Sequence, residues 1–104
     1  MSGGQASNLR FRNYYDQIIA QMRAAWVLPD GVAVGDKLLT VVGVTISPMG
    51  DIQNISIEKS SGNLYFDQSA IRAIRKASPL PPIPEELGDE SLEVGGLNFK
   101  YPPE

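Results

Sequence analysis

The sequence contains neither cysteine nor histidine. Disulfides, thiol nucleophiles, imidazole metal ligands and Ser-His-Asp catalysis are therefore closed to this chain. The compartment stays open, since cysteine-free domains occur on both sides of a membrane. Long apolar runs are also missing: no stretch approaches the roughly 18–20 residues that a membrane-spanning helix needs. No secretory leader is visible in the small, polar start Met1-Ser2-Gly3-Gly4-Gln5-Ala6-Ser7. Residues 1–8 read as a linker remnant and residues 9–104 as one domain taken from a longer chain.

An excess of positive charge is missing too. Nine basic residues face twelve acidic ones, for a net charge of −3. Nucleic acid favours a basic face, so composition points away from it. The basic residues that cluster, Arg72, Arg75 and Lys76, have helical spacing and read as a solvated face near a helix C-terminus, where cations suit the dipole.

What remains is an ordinary globular composition, 42% hydrophobic and 20% charged over 104 residues. That length supports one modest core, with little room for a large internal cavity. Phe11, Tyr15, Ile18, Met22 and Ala25/Trp26 recur at spacings of three and four and predict a helix from Leu9 to about Val27. Ser7 or Asn8 can cap it, Pro29-Asp30-Gly31 ends it, and Trp26 is placed to cover one end of the core.

Lys37 to Ile46 is β-branched and apolar on both faces, which suits a central strand. Ser47-Pro48-Met49-Gly50-Asp51 reads as a turn, and Ile52 to about Lys59 as an antiparallel return strand with one wet face. Asn63 is a helix N-cap, followed by a second helix from Leu64 to about Ala77 with Phe66, Ala70, Ala73/Ile74 and Ala77 on one face. Pro79, Pro81, Pro82 and Pro84 forbid regular structure and make an extended, stiff crossover, and Glu85 to Glu90 continue as a polar loop.

The last strand runs from about Ser91 to Tyr101, where Pro102-Pro103 stops it. Leu92 and Val94 share one phase; Leu97, Phe99 and Tyr101 share the other. One extra residue at Gly95-Gly96, a β-bulge, would restore a single buried face. Those glycines are no phosphate loop, because no helix follows them.

The order α-β-β-α-β then gives an α+β domain. Its three-stranded antiparallel sheet has spatial order 2-1-3, with both helices on one face. The second and third strands become edges, and an edge invites another strand unless it is blunted. The third strand carries only Glu93 and Lys100 as charges, which leaves docking and protection both open. Docking would proceed by strand addition, with a second copy of the domain as one possible occupant. The rival catalytic reading rests on Glu85/Glu86 with Asp89/Glu90, but paired carboxylates need burial to split their pKa values and these sit in a polar loop. No catalytic, metal or cofactor site is expected.

Three ordered stretches resemble the C-terminal domain of the TonB/TolA family. They are Tyr14-Tyr15-Asp16-Gln17-Ile18-Ile19 through Ala25-Trp26 to Leu28-Pro29; Ser47-Pro48-Met49-Gly50-Asp51-Ile52 leading to Glu58-Lys59-Ser60-Ser61-Gly62-Asn63; and Phe66-Asp67-Gln68-Ser69-Ala70-Ile71-Arg72-Ala73-Ile74 before the prolines. Leu97-Asn98-Phe99-Lys100-Tyr101 closes the pattern, so the resemblance covers Tyr14 to Tyr101. It implies a periplasmic domain of an inner-membrane-anchored energy transducer in the Gram-negative envelope. Such proteins couple proton-motive force from an inner-membrane motor complex, contacted through a preceding part of the chain, to outer-membrane proteins. The implied partner is an outer-membrane transporter or a Tol–Pal-type periplasmic protein, and the implied function is non-enzymatic. The implied docking residues are Leu92, Glu93, Val94, Gly95, Gly96, Leu97, Asn98, Phe99, Lys100 and Tyr101. Trp26-Val27-Leu28-Pro29 and the long proline stretch look TolA-like, Lys59-Ser60-Ser61-Gly62 is shared with TonB-like sequences, and both roles stay open.

Overall fold

The computed structural model describes residues 3–33 and 35–102. Met1 and Ser2 of the expected linker remnant, and Pro103 of the expected strand stop, lie outside the described residues. The order is α1 (Gly3–Ala24), β1 (Leu38–Ile46), β2 (Ile52–Lys59), α2 (Leu64–Ala77), a 3-10 turn (Glu85–Leu87) and β3 (Leu92–Tyr101). The sheet is antiparallel with order β2-β1-β3, as the apolar character of β1 required.

α1 begins at Gly3 instead of Leu9, because a helix already nucleated lengthens at little cost. Its buried stripe also differs from the expected one. Tyr14, Ile18, Ile19 and Met22 enter the core, whereas Phe11 is exposed and Tyr15 half-buried. The reason lies in the proline segment: it passes over this face, and the Tyr14 hydroxyl donates to Pro81 O at 2.8 Å. The last turn of α1 tightens as Trp26 N–H reaches Arg23 O. Trp26 then stands edge-on to Phe66 and Phe99, with centroids 5.6 and 5.4 Å away, and its Nε1 donates to Ser69 Oγ. It closes the end of the core as its position suggested.

The proline crossover is anchored along its length. Leu80 and Ile83 are buried, Leu80 N–H donates to Gly50 O, and Ile83 N–H donates to Pro48 O. Gly50 has φ +97°, and a Cβ there would lie 2.0 Å from Leu80 O, so this turn admits only glycine. Alternate residues of β1, namely Thr40, Val42, Val44 and Ile46, face the helices. Among the described residues, the opposite face of the sheet carries no helix.

α2 starts on a built joint. Asn63 Oδ1 accepts Phe66 N–H as the N-cap. The buried Asp67 carboxylate accepts from Thr40 Oγ1 (2.6 Å), Ser61 N–H (2.9 Å), Ser61 Oγ (2.7 Å) and Ser60 Oγ. Burial alone would push this carboxyl up. The hydrogen bonds from Ser60, Thr40 and Ser61 outweigh it and hold the pKa at about 2.

Candidate functional site

β3 pairs with β1 from Leu38↔Tyr101 to Val42↔Leu97, and again from Val44↔Val94 to Ile46↔Leu92. Between these runs Gly95 and Gly96 oppose Gly43, so β3 holds one extra residue at the expected bulge. Gly96 has φ +69°, which glycine adopts at no steric cost. The bulge brings both phases of the strand onto one face: Val94, Leu97 and Phe99 are buried, and Leu92 and Tyr101 are half-buried. Glu93, Gly95, Gly96, Asn98 and Lys100 are exposed.

The other margin of β3 has no strand beside it among the described residues. α1 reaches that strand's backbone twice. The Tyr15 hydroxyl donates to Gly96 O at 3.0 Å, and Arg23 Nη2 donates to Asn98 O at 3.2 Å. A carbonyl oxygen carries two lone pairs, so neither contact exhausts its acceptor. Phe11 leans on Tyr15 with ring centroids 6.2 Å apart, and the two line an open hollow with Arg12 and Asp16.

On the helix-free face, a shallow basin of about 230 Å³ crosses all three strands, lined by Gly43, Thr45, Ser56, Glu58, Glu93 and Gly95 among others. Glu58 Oε1 accepts the Gly96 N–H at 2.9 Å. The second sheet edge, β2, forms a groove with the end of α2 between Ile52, Asn54, Ile55, Arg75 and Ser78.

The structure therefore gathers the ten expected docking residues on one edge strand. It adds Tyr15, Arg23 and Glu58, which sequence reading passed over. Tyr15 carried a signal, as an aromatic at the margin of the helical stripe; Arg23 and Glu58 carried none without the register. Glu85, Glu86, Asp89 and Glu90 are all exposed, and Glu86 pairs with Arg10 at 3.3 Å. The burial that a carboxylate acid–base pair needs is absent from them. Arg72, Arg75 and Lys76 are exposed on α2, as expected of a solvated face. No described helix is long and apolar enough to cross a membrane.

Comparison with known proteins agrees with this geometry. The TonB C terminal family profile matches residues 11–99. The Helicobacter pylori TonB C-terminal domain superposes with a TM-score of 0.70 at 21% identity, covering 86% of this chain and 79% of that one. TolAIII, solved bound to a peptide derived from the N-terminus of TolB, superposes with a TM-score of 0.64 at 27% identity, covering 86% of this chain and 71% of that one. A shorter form of the H. pylori domain gives 0.66 at 22% identity, covering 85% of this chain and 91% of that one. Sequence comparison with curated proteins gives no match.

Proposed function

The chain belongs to the TonB C terminal family, and from that premise we propose that it is the periplasmic partner-binding domain of an inner-membrane-anchored energy transducer. It passes proton-motive force on by gripping an extended segment of a partner along the outer edge of β3. The partner is a Tol–Pal-type periplasmic protein or an outer-membrane transporter. The domain's work is binding, without catalysis.

The observation that carries this reading is the β3 edge itself. Among the described residues, the strand has a neighbouring strand on one side only. Its buried phase is anchored in the core by Val94, Leu97 and Phe99, which hold the edge rigid. A rigid edge offers main-chain donors and acceptors to an incoming strand with little ordering cost. The complex of TolAIII with a TolB-derived peptide supports a Tol-type occupant. Tyr15 and Arg23 already touch this backbone and would share or yield the Gly96 and Asn98 carbonyls as the strand arrives.

Titration of the isotope-labelled domain with the N-terminal TolB peptide tests the reading. Amide signals of residues 92–101 should move most. Shifts confined to α1 and α2 would refute strand addition at β3.

A further inference from the structure

Glu58 lies on β2, two strands away from the edge, yet its carboxylate ends on β3. An ideal Cβ built on Gly43 would lie 2.7 Å from Glu58 Oε2, and one on Gly95 would lie 2.6 Å from the same atom. Real side chains do not approach that closely, so both positions must be bare for the carboxylate to pass. The side chain crosses β1 over Gly43, stops where a Gly95 side chain would stand, and accepts Gly96 N–H with its other oxygen. Glu58 lies at a register shift of β2, between the Val42↔Ile57 and Val41↔Lys59 pairs, whereas Gly43 pairs with Ser56 and faces the bulge on β3, so the Glu58 side chain runs diagonally across β1 to reach that bulge.

A bulge leaves one residue of the ladder unpaired. Here that residue's N–H is claimed by a charged acceptor, the stronger kind of hydrogen bond. Glu58 has no cationic partner within ion-pair distance among the described residues.

We propose that Glu58 is the positioning residue of the docking edge: its carboxylate pins the β3 bulge and serves as the side chain that Gly95 lacks. This rests on the docking of a partner strand at β3 and deepens it. Residues directly opposite on neighbouring strands hold their Cβ atoms about 5 Å apart. A strand added beyond β3 therefore meets a carboxylate opposite Gly95, and a lysine or arginine of the partner at that one position is preferred over an acidic residue.

The first arm of the test uses the free domain. Glu58→Ala should speed hydrogen exchange of the Gly96 amide by about tenfold or more and shift the amides on both sides of the bulge. Glu58→Gln keeps an acceptor oxygen of the same reach and should restore protection. Unchanged exchange and shifts in Glu58→Ala would overturn the proposal, whatever the domain binds. Gly95→Ala provides a second variant: its Cβ should displace the carboxylate and reproduce the Glu58→Ala spectrum.

The second arm uses the N-terminal TolB peptide with lysine or glutamate placed at each position in turn. Lysine should bind several-fold tighter than glutamate at the position opposite Gly95, and Glu58→Gln should erase the difference there while leaving any preference set by Glu93 on the same strand. A lysine preference opposite Gly95 that survives Glu58→Gln would overturn the charge-reading part. If the peptide leaves β3 unmoved, strand docking and charge reading fall together, while the pin is still decided by the Gly96 amide alone.

Discussion

Asp67 shows how much one carboxylate can organise. In the sequence it looks like an acidic residue placed in a first helical turn for the dipole. In the structure it receives Thr40 from β1 and Ser60 and Ser61 from the step between β2 and α2. It ties strand, turn and helix together, which gives the Lys59-Ser60-Ser61-Gly62 step a physical reason. Asp67→Asn removes the charge and one acceptor and should destabilise the domain by about 2 kcal/mol in urea unfolding. The same node sets an acid limb. The folded pKa of about 2 lies below the ordinary 3.8, so the contribution is complete above the ordinary value and fades as pH falls toward the folded one. Stability should drop between about pH 5 and pH 2 by on the order of 1 kcal/mol from this group, allowing for screening by water at its open side. The drop should be smaller in Asp67→Asn.

Among the elements, β3 carries the most information per residue. Without its extra residue, Leu92 and Val94 would point away from the core that Leu97 and Phe99 enter. Deleting Gly95 should therefore expose one pair or break the ladder, and lower stability by about 2–4 kcal/mol in thermal or urea unfolding. A deletion that left stability intact would mean the two halves of β3 are not constrained by one face. α1 makes the complementary point. Its hydrophobic period admits two neighbouring stripes, one through Phe11 and Tyr15 and one through Tyr14 and Ile19. The choice fell to the second because the proline crossover offers Pro81 O to the Tyr14 hydroxyl. Tyr15 was thereby turned toward the edge strand, where its hydroxyl meets Gly96 O.

At the scale of the whole molecule, one core supports a sheet whose two outer strands, β2 and β3, each have a margin with no strand beside it among the described residues. The helices fill one face of the sheet, the crossover seals the end of the hairpin, and β3 keeps a margin without a strand. A ligand that binds the folded state alone stabilises it by mass action. The TolB peptide at about 100 times its Kd should add about 2.7 kcal/mol, a rise in Tm on the order of 10 °C for a domain of this size. A Tm unmoved at high peptide concentration would mean that the peptide does not bind the folded domain.

The element order, the strand order and the bulge were legible in the amino-acid pattern alone. Each of these follows from local physics: apolar periodicity, proline and glycine chemistry, and the requirement that every strand bury one face. Hydrophobic alternation broken at Gly95-Gly96 was enough to place the extra residue, and the doubly apolar β1 was enough to place it centrally. The assembled fold alone settled which stripe of α1 is buried, that Asp67 gathers three hydroxyls and a backbone amide, and that Glu58 ends on β3. Those depend on groups far apart in the chain, from Glu58 to Gly96 and from Tyr14 to Pro81. No local pattern encodes such a meeting, because it exists only after the strands have paired and the crossover has closed.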